Sequence, residues 1–390
     1  MASERSKFTM KSLKTLAYYF PNYHIDPRNE AVHGKGWTEW ELMKHATPRF
    51  PGHDQPKVPL WGCEDEADPA VMSKKIDAAA AHGVDAFIFD WYWYEGPFLQ
   101  RALDEGFLGC GNARLQFALM WANHDWENFH PGGRTRPYPV DFYWTTTFDT
   151  IGFVWDYLIE RYFTHPNYLR VDGKPYFSIY GTNRFVIRMG GVERCARAVA
   201  RLQEKARKAG LPGIHLNGMW WDNMDASPTS ICPQSDWVDK IGFHSYSSYN
   251  IPLYTFPPEL FPKADYDQAY ETYYAMRDRA IKHLPGPYFP VITMGWDSSP
   301  RTVQSEVYER QGYPYYSIME PTPEKFGSKV AEALALLAGR PENERLLFLN
   351  AWNEWTEGSY LEPDVKHGYG FLEALKRELD AVRTPEPALA

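Results

Sequence analysis

Short, nearly continuous apolar runs recur along the chain and alternate with stretches that have the roughly 3.6-residue period of amphipathic helices. The runs fall at residues 16–20, 84–89, 115–121, 175–180, 214–220, 238–244, 290–295 and 345–352, and they read as eight strands. Between and after them, helical periodicity covers 69–81, 151–163, 192–209, 266–283, 323–338 and 370–382. Asp68 is a candidate N-cap with Pro69 at the first helical position, and His82-Gly83 ends that helix. Gly210 and Pro212 stop the 192–209 helix in the same way. Uninterrupted apolar strands belong to a parallel sheet buried on both faces by helices. Eight of them in alternation predict a closed (β/α)8 TIM barrel, an α/β fold with a long first βα loop at about 27–65. An open doubly wound sheet is the alternative, but no GxGxxG follows any strand. No linker divides the chain, so residues 1–390 are expected to form a single domain with peripheral tails at 1–13 and 383–390.

Charge and cysteine content narrow the possibilities. The chain carries 41 Lys+Arg against 50 Asp+Glu, a net −9, and no basic run longer than a pair, so no nucleic-acid surface is expected. The start of the chain lacks a signal-peptide core and no apolar stretch is long enough to span a membrane. Cys63, Cys110, Cys195 and Cys232 are scattered without metal spacing, which predicts free thiols in a cytoplasmic protein. Oligomeric state has no signature here. The aromatic count does change the picture. Fifteen Trp, 26 Tyr and 22 Phe among 390 residues exceed what a core needs, and the polar tips of Trp and Tyr require partners.

In a barrel the active site lies at the C-terminal ends of the strands. Strand one ends in Tyr19 and runs to His24. Strand two ends in Asp90-Trp91, and strand three in Trp121, followed by Asn123-His124-Asp125-Trp126. Strand five ends in Trp220, with Trp221, Asp222 and Asn223 behind it. Strand six ends in His244 with Tyr246, strand seven in Trp296-Asp297, and strand eight in Trp352-Asn353-Glu354-Trp355-Thr356-Glu357. Glu39, between Trp37 and Trp40, either reaches the cleft from the long first loop or pins that loop. Several of these have structural alternatives: Asp90 as a turn cap, His124 with Asp125 as a hydrogen-bonded pair, Glu362 as a brace for the last loop. Rings stack on the apolar faces of sugars, and carboxylates, amides and imidazoles bind hydroxyls. With almost no Arg or Lys at the strand ends, the expected partner is a neutral carbohydrate, with no cofactor. A metal site from His124, Asp125 and His244 lacks supporting spacing, and none is expected.

Glycosidic cleavage needs two carboxyl groups, one of them a proton donor. Glu354 and Glu357 fit that need, since a turn-like spacing of three brings both side chains to one face. Their mutual repulsion and the indoles around them would raise one pKa. The segment Asn353-Glu354-Trp355-Thr356-Glu357-Gly358, continuing to Leu361-Glu362-Pro363, resembles the NEWxEG…EP segment of glycoside hydrolase family 99 and, more closely, the family 99-like group labelled WbsX-type. Residues 18–24, 36–40, 52–56, 68–69, 83–87 and 121–123 match as well. The resemblance implies a retaining barrel enzyme that uses no metal and acts through a 1,2-anhydro sugar. In that scheme Glu354 would take the 2-hydroxyl proton and Glu357 would serve as general acid, then as base for water. A covalent glutamyl intermediate is the ordinary alternative. Two other functions stay open: a glycosyltransferase of polysaccharide assembly, and a non-catalytic carbohydrate-binding barrel.

Overall fold

The computed structural model describes residues 10, 12–134, 137–220, 237–251, 258–310 and 316–383. Its eight core strands are β1 (Lys14–Tyr19), β2 (Ala86–Trp93), β3 (Gln116–Trp121), β4 (Lys174–Ile179), β5 (His215–Met219), β6 (Ser245–Ser247), β7 (Tyr288–Phe289, resuming after Pro290 as Val291–Thr293) and β8 (Leu346–Asn350). All neighbouring pairs are parallel: β1 lies between β8 and β2, and the series then runs β2, β3, β4, β5 and β6 to the first half of β7. The second half of β7 pairs with β8, which completes the ring. Proline lacks the N–H a central ladder needs. At the break in β7 the Pro290 carbonyl instead accepts from Phe348 N at 3.0 Å. The TIM barrel expected from the apolar runs is the observed fold.

The strands are buried on both faces, as a parallel sheet under helices requires. The outer helices are α1 (Pro27–His33) and α2 (Trp40–His45) in the long first loop, α3 (Pro69–Ala81), α4 (Ile151–Leu158), α5 (Thr182–Met189), α6 (Val192–Lys208), α7 (Tyr266–His283), α8 (Pro323–Ala338) and α9 (Gly370–Asp380). Asp68 caps α3 by accepting from Ala70 N, with Pro69 opening the helix. The 151–163 pattern is realised as α4 followed by a wider π-turn at Ile159–Phe163. Cys63, Cys110 and Cys195 are free thiols, and Cys232 lies outside the described residues. No helix among the described residues is long and apolar enough to cross a membrane.

Two strands depart from the sequence reading by more than two residues at an end, and both matter for the site. Strand six is Ser245–Ser247, not 238–244; the apolar stretch Val238–Ile241 forms turns outside the barrel. The real strand is polar because the barrel interior is polar at this level. Asn217 donates to Ser178 Oγ at 3.0 Å and to Ser247 Oγ at 2.9 Å, and Ser245 Oγ donates to Asn217 Oδ1 at 2.9 Å. Strand two runs on through Trp93 instead of stopping at Phe89, so alternation decides where its last side chains point.

Candidate active site

Beyond the polar layer, at the C-terminal ends of the strands, lies a cavity of about 420 Å³. Alternation along β2 turns Asp90 and Tyr92 into it and sends Trp91 outward, against Trp93, Trp121 and Tyr157 of α4. On β3 Met120 faces the cavity while Trp121 packs outward on Trp144, Trp155 and Phe185. The loop after β3 adds His124, Asp125, Trp126, Glu127, Phe129 and His130 to the wall. Burial holds the imidazoles of both His124 and His130 down to about 4, so near neutral pH they are uncharged.

Glu354 and Glu357 both reach the cavity. A short antiparallel ribbon carries Glu354, and a 3-10 turn at Trp355–Glu357 follows it. Its threefold repeat brings positions three apart to the same side. Gly358 ends the turn at φ 64°, and a Cβ there would stand 2.7 Å from both the backbone nitrogen and the Cβ of Asp297. Gly358→Ala is expected to cost about 1–3 kcal/mol in urea unfolding, because a left-handed backbone and a backbone clash coincide. The same variant should lose activity with the displaced Glu357.

The two glutamates meet on one guanidinium. Arg301, from a 3-10 turn at Ser299–Arg301, donates Nη1 to Glu357 and Nη2 to Glu354 Oε2 at 3.2 Å. The same group pairs with Glu39 at 3.0 Å and gives Nε to Thr356 Oγ1 at 2.9 Å. Glu39 is fully buried, which works to raise its pKa. Arg301, with His130 and the hydrogen bonds of Thr356 and Asn22, overcomes this and holds it below the usual carboxylate range. Glu354 goes the other way: burial and the adjacent Glu357 push it well above that range, against the partial opposition of Arg301 and Tyr249. One cation thus stands among three carboxyl groups, and it holds Glu39 down while burial pushes Glu354 up.

Other sequence candidates form the frame behind these groups. Tyr19 donates to Glu66 at 2.8 Å, His24 lies 3.5 Å from the same carboxylate, and Asn353 reaches it at 3.2 Å. Asn353 also exchanges hydrogen bonds with both backbone groups of Phe20. Asn123 does the same with Gly181, which fixes the mouth of β4. Trp352 and Trp355 both donate their indole N–H to Glu362, whose carboxylate also pairs with Lys75 of α3 at 2.6 Å. That is the bracing role read for Glu362. Asp297 accepts from Gln55 at 2.6 Å and meets His53 at 2.8 Å, tying the first loop to the end of β7. Its neighbour Trp296 is in the cavity wall. Glu39 pins the loop through Asn22 and pairs with Arg301, but it lies behind the cavity wall and not in it.

Two candidates are far from the cavity. His244 precedes β6 and contacts Leu216 N and Lys174 at the opposite, N-terminal end of the barrel. Tyr246 points outward and donates to Val238 O, while its strand neighbours Ser245 and Ser247 face inward. Both placements follow from the shift of strand six. The metal set considered for His124, Asp125 and His244 is therefore split between the two ends of the barrel. Among the described residues no group of three or more His, Cys, Asp and Glu is arranged for a metal ion. Trp220 closes β5 outside the cavity wall, and Trp221, Asp222 and Asn223 lie outside the described residues.

Sequence reasoning missed Arg301, Tyr249, Tyr92, His130 and Arg184, all in the wall. Tyr92 was legible from strand parity. The others come from loops or a short helix and carry no periodic signal.

A closed parallel barrel with a carboxyl-rich cavity at its C-terminal end is a TIM barrel with its candidate site where that fold places active sites. The solved structure of the family 99 endo-α-mannosidase from Bacteroides thetaiotaomicron superposes with a TM-score of 0.55 at 15% identity, over 96% of this chain and 97% of that one. A structure described as a glycoside hydrolase-like protein gives 0.61 at 14% identity, over 98% of each chain. The chain belongs to the family described as glycosyltransferase WbsX, which it matches over residues 15–375. The curated relative WxcX of Xanthomonas campestris pv. campestris, described as uncharacterized, is 28% identical over 386 residues, 96% of this chain. The chain spans about half the length of that relative.

Proposed function

We propose that the protein is a retaining glycoside hydrolase that cleaves a neutral glycan, with Glu354 and Glu357 at the reaction centre and residues 1–390 acting as one catalytic domain. The observation that carries this reading is the grip of one guanidinium, Arg301, on both glutamates, with burial and the adjacent Glu357 pushing the pKa of Glu354 up. An acid next to a carboxylate is what glycosidic cleavage requires. Asp90, His124, Asp125, Trp126 and Trp296 supply the hydroxyl-binding groups and rings of the sugar site. Asn123, Asn353, Tyr19, His24, Trp352 and Trp355 position it from behind. The wall holds five acidic side chains against Arg184 and Arg301, a balance that suits a neutral sugar and disfavours the diphosphate of a nucleotide sugar. Following the family 99 resemblance, Glu354 takes the proton of the sugar 2-hydroxyl, the oxygen attacks C1, and Glu357 protonates the leaving oxygen. An α-mannoside is the substrate that resemblance suggests.

A second reading exchanges the two roles, because burial and the adjacent Glu357 push Glu354 towards its protonated form. A screen of aryl glycosides and natural glycans, with NMR of the first-formed anomer, tests the function. A retained anomer is expected. An inverted product, or calorimetric binding of a nucleotide sugar without cleavage of any glycan, would overturn it.

A further inference from the structure

The Tyr249 hydroxyl lies 2.6 Å from Glu354 Oε1 and 3.0 Å from Asp90 Oδ2. A phenol has one proton, so it can donate to only one of the two carboxyls. The other contact is a hydrogen bond only if that carboxyl carries a proton and donates to the phenolic oxygen. Asp90 is 5% exposed, and its second oxygen, Oδ1, is buried with no hydrogen-bond partner. A lone carboxylate so placed would be a nearly unsolvated anion. The contacts thus require at least one carboxyl proton beyond that of the phenol, and burial pushes both Glu354 and Asp90 towards holding it.

We propose that Asp90, Tyr249 and Glu354 form a proton chain in which Glu354 becomes a carboxylate by passing its proton through Tyr249 to Asp90. The Glu354 Oε1–H bond breaks as an Oη–H bond forms. The original Oη–H bond breaks as an Asp90 Oδ2–H bond forms. No electrons change hands, and one negative charge moves from Asp90 to Glu354 without contact with solvent. This rests on the paired-glutamate reading and explains how a glutamate that burial pushes towards its neutral form serves as base. Asp90 is then a positioning residue that acts through Tyr249. The other groups facing the chain are Arg301, Glu357 and the phenols of Tyr18, Tyr23 and Tyr92, which burial keeps protonated.

Infrared spectra of the full chain near neutral pH, with carbon-13 in aspartate or in glutamate, test the chain directly. Differences against Asp90→Asn and Glu354→Gln isolate the pair. The wild-type neutral-carboxyl band should respond to both labels, and in Tyr249→Phe to the glutamate label alone. Two ionised carboxyls, or a wild-type band confined to one label, would overturn the proposal. In kinetics, Tyr249→Phe should lower kcat about a hundred-fold with KM within about two-fold, while Asp90→Asn moves the acidic limb of the pH profile upward. Wild-type turnover and an unmoved acidic limb in Tyr249→Phe would also sink it. A chain that cleaves no glycan but passes the infrared arm would refute the hydrolase reading and leave the proton chain standing.

Discussion

Glu357→Gln is expected to reduce cleavage of an unactivated glycoside by about a thousand-fold while sugar binding remains measurable. The amide keeps the shape of the side chain and an oxygen for Arg301 Nη1, but it can neither give up a proton nor ionise. Comparison with Glu354→Gln then assigns the roles. The variant that lacks the general acid should recover most of its turnover on a glycoside whose leaving group needs no protonation, and the variant that lacks the base should not. Wild-type turnover by Glu357→Gln would remove it from the reaction centre. Glu354→Gln carries a second expectation, of opposite sign, for stability. The folded pKa of Glu354 lies above its unfolded value, so the native state holds a proton that the unfolded chain has lost near neutral pH. Stability contributed at this site therefore falls as pH rises beyond the ordinary carboxyl range. The glutamine variant should melt higher than wild type near neutral pH, and the gap should close in acid. Thermal melts at the two pH values decide it.

Replacing Arg301 with Met should be the most damaging single change to the fold of the site. Arg301 is 4% exposed, and it is the shared cation for Glu39, Glu354 and Glu357. Removing one partner of a buried ion pair costs about 3–5 kcal/mol, because the other charge stays buried and uncompensated. Urea unfolding measures this, and a loss below about 1 kcal/mol would show that the cluster does not depend on its cation. The pH dependence supplies a sign. With Arg301 present, Glu39 has a depressed folded pKa; its stabilising contribution exists above the unfolded pKa and is lost as pH falls through the folded one. Without Arg301, only His130 and the hydrogen bonds of Thr356 and Asn22 oppose the burial of Glu39 and its pKa rises, so the variant should regain stability on mild acidification where wild type does not. Arg301→Lys should rescue little, since a single ammonium cannot reproduce the forked contacts.

The barrel was legible because seven of its eight strands are apolar runs whose burial is written directly into residue type. Strand six was not, because Ser245 and Ser247 serve a polar interior layer, while the neighbouring apolar run at Val238–Ile241 covers the outside. Glu354 and Glu357 stood out through their spacing after the last strand. The tryptophans misled for a geometric reason. An indole beyond a strand points into the cavity or into the helix layer according to parity, and Trp91 and Trp121 have the outward parity. Glu39 and Glu362 were visible as residues but not as partners, since their roles depend on contacts 262 and 10 residues away. Arg301 has no pattern at all: one arginine in a loop becomes central only when the chain closes on itself.

The Glu362 clasp on Trp352, Trp355 and Lys75 has a consequence for how such a barrel changes over generations. The turn that bears Glu354 and Glu357 is anchored to α3 behind the wall, whereas much of the cavity surface comes from separate loops. Substitutions in those loops would then reshape the cavity without loosening the turn.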